Sequence, residues 1–172
     1  IYVLFKPIIF ILILIPLFSN FIDIIFNLIR NYSLDILHKE TKLTFYSPNR
    51  LIRMRLKTFS SKEPETLNWI DSFEKNSVFW DIGANIGLYS IYAAKTKSTH
   101  TYSFEPSALN LENLAKNINL NKLNELINII PFPLSNKLGF NNFQLSNDEL
   151  GGALSNFGES YLNLGMPIFN KL

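Results

Sequence analysis

Two carboxylates and two glycines carry the chemistry this sequence declares. Asp81, Gly83 and Gly87 stand in the order D-x-G-x-x-x-G, and Glu105 follows Asp81 by 24 positions. Asp81 closes the apolar run Val78-Phe79-Trp80, and Glu105 closes the strand-like run His100-Thr101-Tyr102-Ser103-Phe104. Gly83 lets the backbone turn sharply, and Gly87 removes side-chain bulk where helix and strand must approach. From Ile86 onward, Ile86, Tyr89, Ala93 and Ala94 fall on one helical face. Strand, glycine turn and helix is the arrangement that binds nucleotide-like cofactors at the carboxyl edge of a parallel sheet. The helix start offers free N–H groups to an anionic ligand end. A carboxylate ending the next strand can accept two hydrogen bonds from a ribose diol. The dinucleotide fingerprint G-x-G-x-x-G is not met: counted from Gly83 it needs glycine where Asn85 and Leu88 stand. The glycines alone are explained by a tight strand-to-helix turn of any α/β protein. With Glu105 they favour a nucleoside-type cofactor.

Three strands and two helices must position these groups. Val78–Ile82 and His100–Phe104 have the character of strands, and Leu126–Ile130 makes a third, stopped by Pro131-Phe132-Pro133. Between the second and third, Pro106-Ser107 opens a helix whose predicted core face is Ala108, Leu111, Leu114, Ala115 and Ile118. The end of the third strand, Phe132 to Ser135, is a candidate wall for an adenine. Upstream, Thr41–Tyr46 reads as a short strand. The basic segment Arg50–Lys57 reads as a solvated helix face, with lipid phosphate or an anionic substrate as the alternative partner of its arginines. Pro64 suits a first helical position, and Glu63 and Glu65 favour the positive dipole end, so capping accounts for both glutamates. A contact of these glutamates with the amino-acid end of a cofactor is the less favoured reading. Leu67, Ile70 and Phe73 then face inward with Trp69 on the flank. Gly139–Leu145 reads as the return strand of a hairpin. Gly151–Gly158 is a glycine-rich loop, either flanking a cleft or a plain turn, and lacks the Lys-Ser/Thr of an ATPase phosphate loop.

Composition bounds the rest. A chain of 172 residues, 47% hydrophobic and 14% aromatic, can bury the core of one domain and is no disordered tail. It has no cysteine, which excludes disulfides, thiolate nucleophiles and Cys-based zinc sites. Charge is uneven. Through Lys62 there are nine Lys/Arg against three Asp/Glu, and beyond it seven against eleven. The basic part follows a greasy N-terminus, which points to a membrane surface, and no basic stripe with interleaved aromatics argues for nucleic acid. Pro7 to Ile22 carries no charge over 16 residues, roughly 24 Å as helix against a hydrocarbon core of roughly 30 Å. Residues 1–30 are therefore read as a hydrophobic helix, either a membrane anchor or a greasy helix on a partner. As an anchor, its downstream cations would hold the following domain on the cytoplasmic face. Residues 31–76 form a basic linker with strand and helix elements, and 77–172 the nucleoside-binding unit. His38 and His100 are isolated and read as structural, so no metal is expected. No Ser-His-Asp arrangement or carboxylate pair supports hydrolysis. With Ile1 first and three strong strands, the chain is expected to be the N-terminal part of a longer enzyme.

The D-x-G-x-x-x-G pattern resembles motif I of class I methyltransferases, and the chain from about Thr41 to Gly158 resembles the FkbM family of S-adenosylmethionine (SAM)-dependent methyltransferases. The resemblance is carried by Lys57–Thr66, by Phe79-Trp80-Asp81-Ile82-Gly83-Ala84-Asn85-Ile86-Gly87 and by Ser103-Phe104-Glu105-Pro106-Ser107. Asn110, Asn113, Asn119, Pro133-Leu134-Ser135 and Gly151–Ser155 add to it. It implies a Rossmann-like doubly wound α/β sheet, incomplete here at the C-terminus, and O-methylation of a hydroxyl on a sugar, glycan or small metabolite. It implies that Asp81, Gly83, Ala84, Asn85 and Gly87 shape the methionine and ribose side of a SAM pocket and that Glu105 binds the ribose hydroxyls. The family's further acidic strand motif has no counterpart here, so no catalytic base is named. Two other readings stand beside it: a non-catalytic remnant or membrane-interaction protein, and an NAD-dependent oxidoreductase, whose glycine spacing the chain does not meet.

Overall fold

The computed structural model describes residues 16–135, 139, 142–145, 148–153 and 155–157. Helix α1 (Pro16–Arg30) leads into an antiparallel hairpin of β1 (Ser33–His38) and β2 (Thr41–Tyr46), turned at Lys39 with φ of 52°. Three short helices follow: α2 (Arg50–Lys57), α3 (Phe59–Lys62) and α4 (Pro64–Asp71). Then the βαβαβ unit runs through β3 (Val78–Ile82), α5 (Leu88–Lys97), β4 (His100–Phe104), α6 (Ala108–Leu120) and β5 (Ile127–Ile130). A small antiparallel pair joins β6 (Phe143–Gln144) to β7 (Asn156–Phe157).

The three long strands are parallel in the order β3-β4-β5, with Asp81 beside Ser103 and Phe104 beside Ile130. This is one half of a Rossmann-like, doubly wound sheet. Successive right-handed crossovers place α5 and α6 on the same face, which buries Phe79, Asp81, Thr101, Ser103 and Ile127. Val78, Trp80, Ile82 and Tyr102 alternate onto the opposite face and are exposed. Among the described residues the core therefore lies on one side of the sheet. There Ile86, Ile91, Tyr92, Leu114 and Ile118 meet Leu43 and Phe45 of the hairpin and Ile52, Leu56, Leu67 and Ile70 of α2 and α4.

Strands and helices of the βαβαβ unit fall where the sequence places them, and so do Thr41–Tyr46 and the helix opened by Pro64. The hairpin partner β1 was not read. It holds register through Leu34 and Ile36, half-buried against the core, and through Asp35, which accepts from Thr44 Oγ1 at 2.7 Å and pairs with Lys42 at 2.8 Å. The return strand read at Gly139–Leu145 is shorter, and its partner is β7. Of its residues, Phe140 and Asn141 lie outside the described ones.

The expected core face of α6 is corrected. Ala108 and Ala115 are exposed and Leu111 is half-buried, while Asn110, Asn113 and Asn117 are buried beside Leu114 and Ile118. The reason is backbone satisfaction. The free edge of β2 is covered, so its N–H and C=O groups need partners. Asn117 accepts from Tyr46 N at 2.7 Å and donates to Ile86 O at 2.8 Å. Asn121 accepts from Thr44 N at 3.1 Å and donates to Thr44 O at 2.7 Å. A ladder of amides thus does for β2 what another strand would do.

Among the described residues no helix is long and apolar enough to cross a membrane. The uncharged stretch from Pro7 falls largely outside them. Within α1, Phe21, Ile24, Phe26, Leu28 and Ile29 are exposed.

Candidate functional site

Two cavities meet at the turn between β3 and α5. One, of about 510 Å³, is lined by Glu105, Pro106, Asn110, Phe132, Pro133 and Gly152 among others. The other, of about 410 Å³, lies toward α2 and α4 and is lined by Arg55, Glu63, Thr66, Asp81, Ala84 and Tyr89 among others. Ile82, Gly83, Asn85 and Ala153 line both, so the glycine turn is their shared wall. Both volumes fall within the roughly 300–1,000 Å³ usual for small-molecule sites.

The turn is built by residues adjacent in sequence. Gly83 adopts φ of +83° with open space where a Cβ would stand, so it serves the backbone and leaves the cavity clear. The N–H groups of Gly83 and Ala84 both donate to Phe104 O, at 2.9 and 3.0 Å, tying the turn to the end of β4. Asn85 is also left-handed, with φ of 52°. Gly87, at φ of +85°, caps α5 and lines neither cavity. The expected approach of helix to strand at Gly87 is corrected: a Cβ there would stand 2.5 Å from Leu114 Cδ1, so the close approach it permits is to α6.

Glu105 follows β4 and is almost wholly buried. Its Oε2 accepts from Asn85 N at 2.8 Å and its Oε1 from Ser107 N at 2.8 Å. Each oxygen keeps a second lone pair, so a ligand diol can still be received. Asn85 in turn donates through Nδ2 to Gly152 O at 2.6 Å. Asn110 takes both sides of the same loop, donating to Gly152 O at 3.1 Å and accepting from Gly151 N at 2.9 Å. The glycine-rich segment is thus a wall of the cavity and no plain turn. Leu154 and Gly158 of that segment lie outside the described residues.

Asp81 faces the helix side. Its Oδ2 accepts from Ser90 N at 3.0 Å and from the Ser90 hydroxyl, which also meets Ser103 Oγ at 2.7 Å. Burial pushes its carboxyl above the usual range, opposed by the Ser90 bonds and reinforced by the Glu105 charge. One first-turn N–H of α5 is therefore already occupied by Asp81, which locks strand to helix while bordering the second cavity.

The cofactor residues read from the sequence are brought together, except that Gly87 acts at a distance through packing. Of the candidate wall Phe132 to Ser135, the first three residues line the first cavity. Three residues outside the cofactor set named from the sequence also belong to the site. Arg55 points inward from a helix taken as solvated, and its Nε donates to Gly151 O at 2.9 Å. Tyr89 donates to Glu63 Oε2 at 3.0 Å, while the Glu63 side chain makes no cap bond to α4. Asn110 enters the sequence reading only through the family resemblance; the recurrence of Asn110, Asn113, Asn117 and Asn121 on one helix is the signal that points to it. His38 meets Ser60 Oγ at 2.8 Å and packs edge-on against Phe59 and Tyr92, a structural role. Among the described residues no cluster could hold a metal ion.

Fold and site together define half of a doubly wound α/β unit with a nucleoside-sized cleft at the carboxyl edge of its strands. No family model and no curated protein matches the chain. Solved structures do. P. horikoshii TYW2 in complex with MeSAdo is 17% identical with a TM-score of 0.45, over 59% of this chain and 36% of that one. An RNA methyltransferase from Salinibacter ruber in complex with S-adenosyl-L-homocysteine is 20% identical with a TM-score of 0.37, over 41% and 45%. Precorrin-6y C5,15-methyltransferase from Geobacter metallireducens is 20% identical with a TM-score of 0.36, over 40% and 36%. The chain spans less than half the length of each.

Proposed function

We propose that this chain is the SAM-binding part of a class I methyltransferase of the FkbM type, transferring a methyl group to a hydroxyl of a glycan or small metabolite. The observation that carries the reading is Glu105. It is a buried carboxylate at the carboxyl end of the second parallel strand, and it holds the glycine turn by Asn85 N. It borders the 510 Å³ cavity with lone pairs to spare for a ribose diol. Bound SAM would supply an activated methyl group. Glu105 would hold its ribose, Phe132 to Leu134 would flank its adenine, and Gly83, Ala84 and Asn85 would leave room for the chain between ribose and methionine. Methyl transfer runs largely on positioning, and no catalytic base is assigned. The balance of seven Lys/Arg against eleven Asp/Glu beyond Lys62 favours a small or glycan acceptor over nucleic acid. The glycine spacing does not favour NAD.

Calorimetric titration of S-adenosylhomocysteine into the full chain tests this. Saturable binding is expected, weakened by about 1–3 kcal/mol in Glu105→Ala. A chain folded by circular dichroism that takes up no ligand refutes the reading. A second reading, a membrane-interacting protein without catalysis, is favoured by the exposed apolar residues of α1, from Phe21 to Ile29. In that reading, as in an anchored enzyme at the cytoplasmic face, the full chain co-sediments with anionic vesicles and a chain lacking residues 1–30 does not.

A further inference from the structure

We propose that Arg55 and Glu63 form a two-charge clamp in the 410 Å³ cavity that recognises the α-amino-acid end of the cofactor, Arg55 taking the carboxylate and Glu63 the ammonium. The inference rests on the SAM reading and adds two residues to it. Three features of the structure support it.

First, both residues line one cavity, and that cavity shares the glycine turn with the site of Glu105. A ligand whose ribose lies at Glu105 reaches the second cavity by passing Gly83, which presents no side chain. Second, Arg55 is a half-buried cation without a carboxylate in ion-pair range among the described residues. Its Nε is committed to Gly151 O, which fixes the guanidinium plane and leaves the terminal fork available. Burial lowers its affinity for the proton, with the Glu63 charge opposing. A half-buried guanidinium that no carboxylate of the described residues meets at ion-pair distance is suited to an anionic group of a ligand. Third, Glu63 is held for a task other than capping. It stands at the start of α4, yet its side chain turns to Tyr89, whose hydroxyl fixes Oε2, while Oε1 has Lys62, at 3.9 Å, as its partner among the described residues. That pair is solvent-exposed and screened, so it competes weakly with a ligand ammonium. Arg55 and Glu63 line the same space without closing on each other. This is what a zwitterion needs.

The test compares two ligands on the full chain: S-adenosylhomocysteine, which has the amino-acid end, and 5′-methylthioadenosine, which lacks it. Wild type is expected to bind the first at least tenfold more tightly. Arg55→Met and Glu63→Gln should each remove about tenfold of S-adenosylhomocysteine affinity and leave methylthioadenosine affinity within twofold. Arg55→Lys should recover part of the loss. The methylthioadenosine value also reports that each variant is folded with the nucleoside site intact. Equal weakening of both ligands would mean that Arg55 acts only by holding Gly151, and it overturns the clamp. So does a wild type that binds both ligands equally, which leaves the SAM reading standing. A folded wild type that binds neither overturns the SAM reading and the clamp with it.

Discussion

The isosteric change Glu105→Gln isolates what this carboxylate does. In the wild type, each of its oxygens accepts one backbone N–H at 2.8 Å, from Asn85 and from Ser107. Glutamine keeps the shape but supplies one acceptor only. One N–H therefore loses a charge-assisted bond of about 1.5–3 kcal/mol and faces another donor, and the remaining bond falls to the neutral range of about 0.5–1.5 kcal/mol. Burying a neutral amide in place of a charge returns part of this, so a net destabilisation of about 2 kcal/mol is expected. With a urea slope of about 2 kcal/mol/M, the unfolding midpoint should drop by about 1 M. Because Asn85 also holds Gly152 O, release of its N–H loosens the cavity wall. S-adenosylhomocysteine affinity should then fall by about tenfold or more, measured by calorimetry well below the unfolding transition. Glu105→Asp should resemble the glutamine variant, since the shorter side chain cannot reach both donors. A glutamine variant within about 0.5 kcal/mol of wild type, with unchanged ligand affinity, would show that Glu105 neither holds the turn nor meets the ligand.

Gly87→Ala forces a Cβ to 2.5 Å from Leu114 Cδ1 at φ of +85°. Backbone strain and overpacking together should cost about 2–4 kcal/mol in urea unfolding, and Leu114→Ala in the same chain should make the pair less than additive. Gly83→Ala meets open space and should cost only the backbone part, about 1–2 kcal/mol. Asn117→Ala strands Tyr46 N and Ile86 O inside the core. It should cost about 2–4 kcal/mol, with Tyr46 losing protection in amide hydrogen exchange. The Asp81 carboxyl is raised in the folded state by burial. Its proton-linked stability is thus fully present below the unfolded pKa, near 3.8, and is lost as pH rises through the folded value. Asp81→Asn removes that slope. In urea titrations the wild type should lose ground relative to Asp81→Asn as pH rises from about 3.5, and parallel curves would refute this.

Local chemistry made the βαβαβ unit legible. Val78–Ile82, His100–Phe104 and Ile127–Ile130 are short runs bounded by turn residues. Gly83 announces a positive φ that few other residues tolerate. Glu105 follows because a carboxylate at a strand end is a local feature. Residue type and near spacing were thus enough for the carboxyl-edge site. Tertiary structure decided the rest. Periodicity cannot tell which face of α6 turns inward when the backbone of β2, some 70 residues away, needs amide partners there. Glu63 reads as a helix-end charge until packing brings Tyr89 to it across 26 positions. Arg55 reads as solvated until Gly151 arrives across 96. Propensity and spacing act over a few residues. Burial creates demands for hydrogen bonds and counter-charges that are met by whatever the folded chain brings near, and those partners are set only when the elements pack.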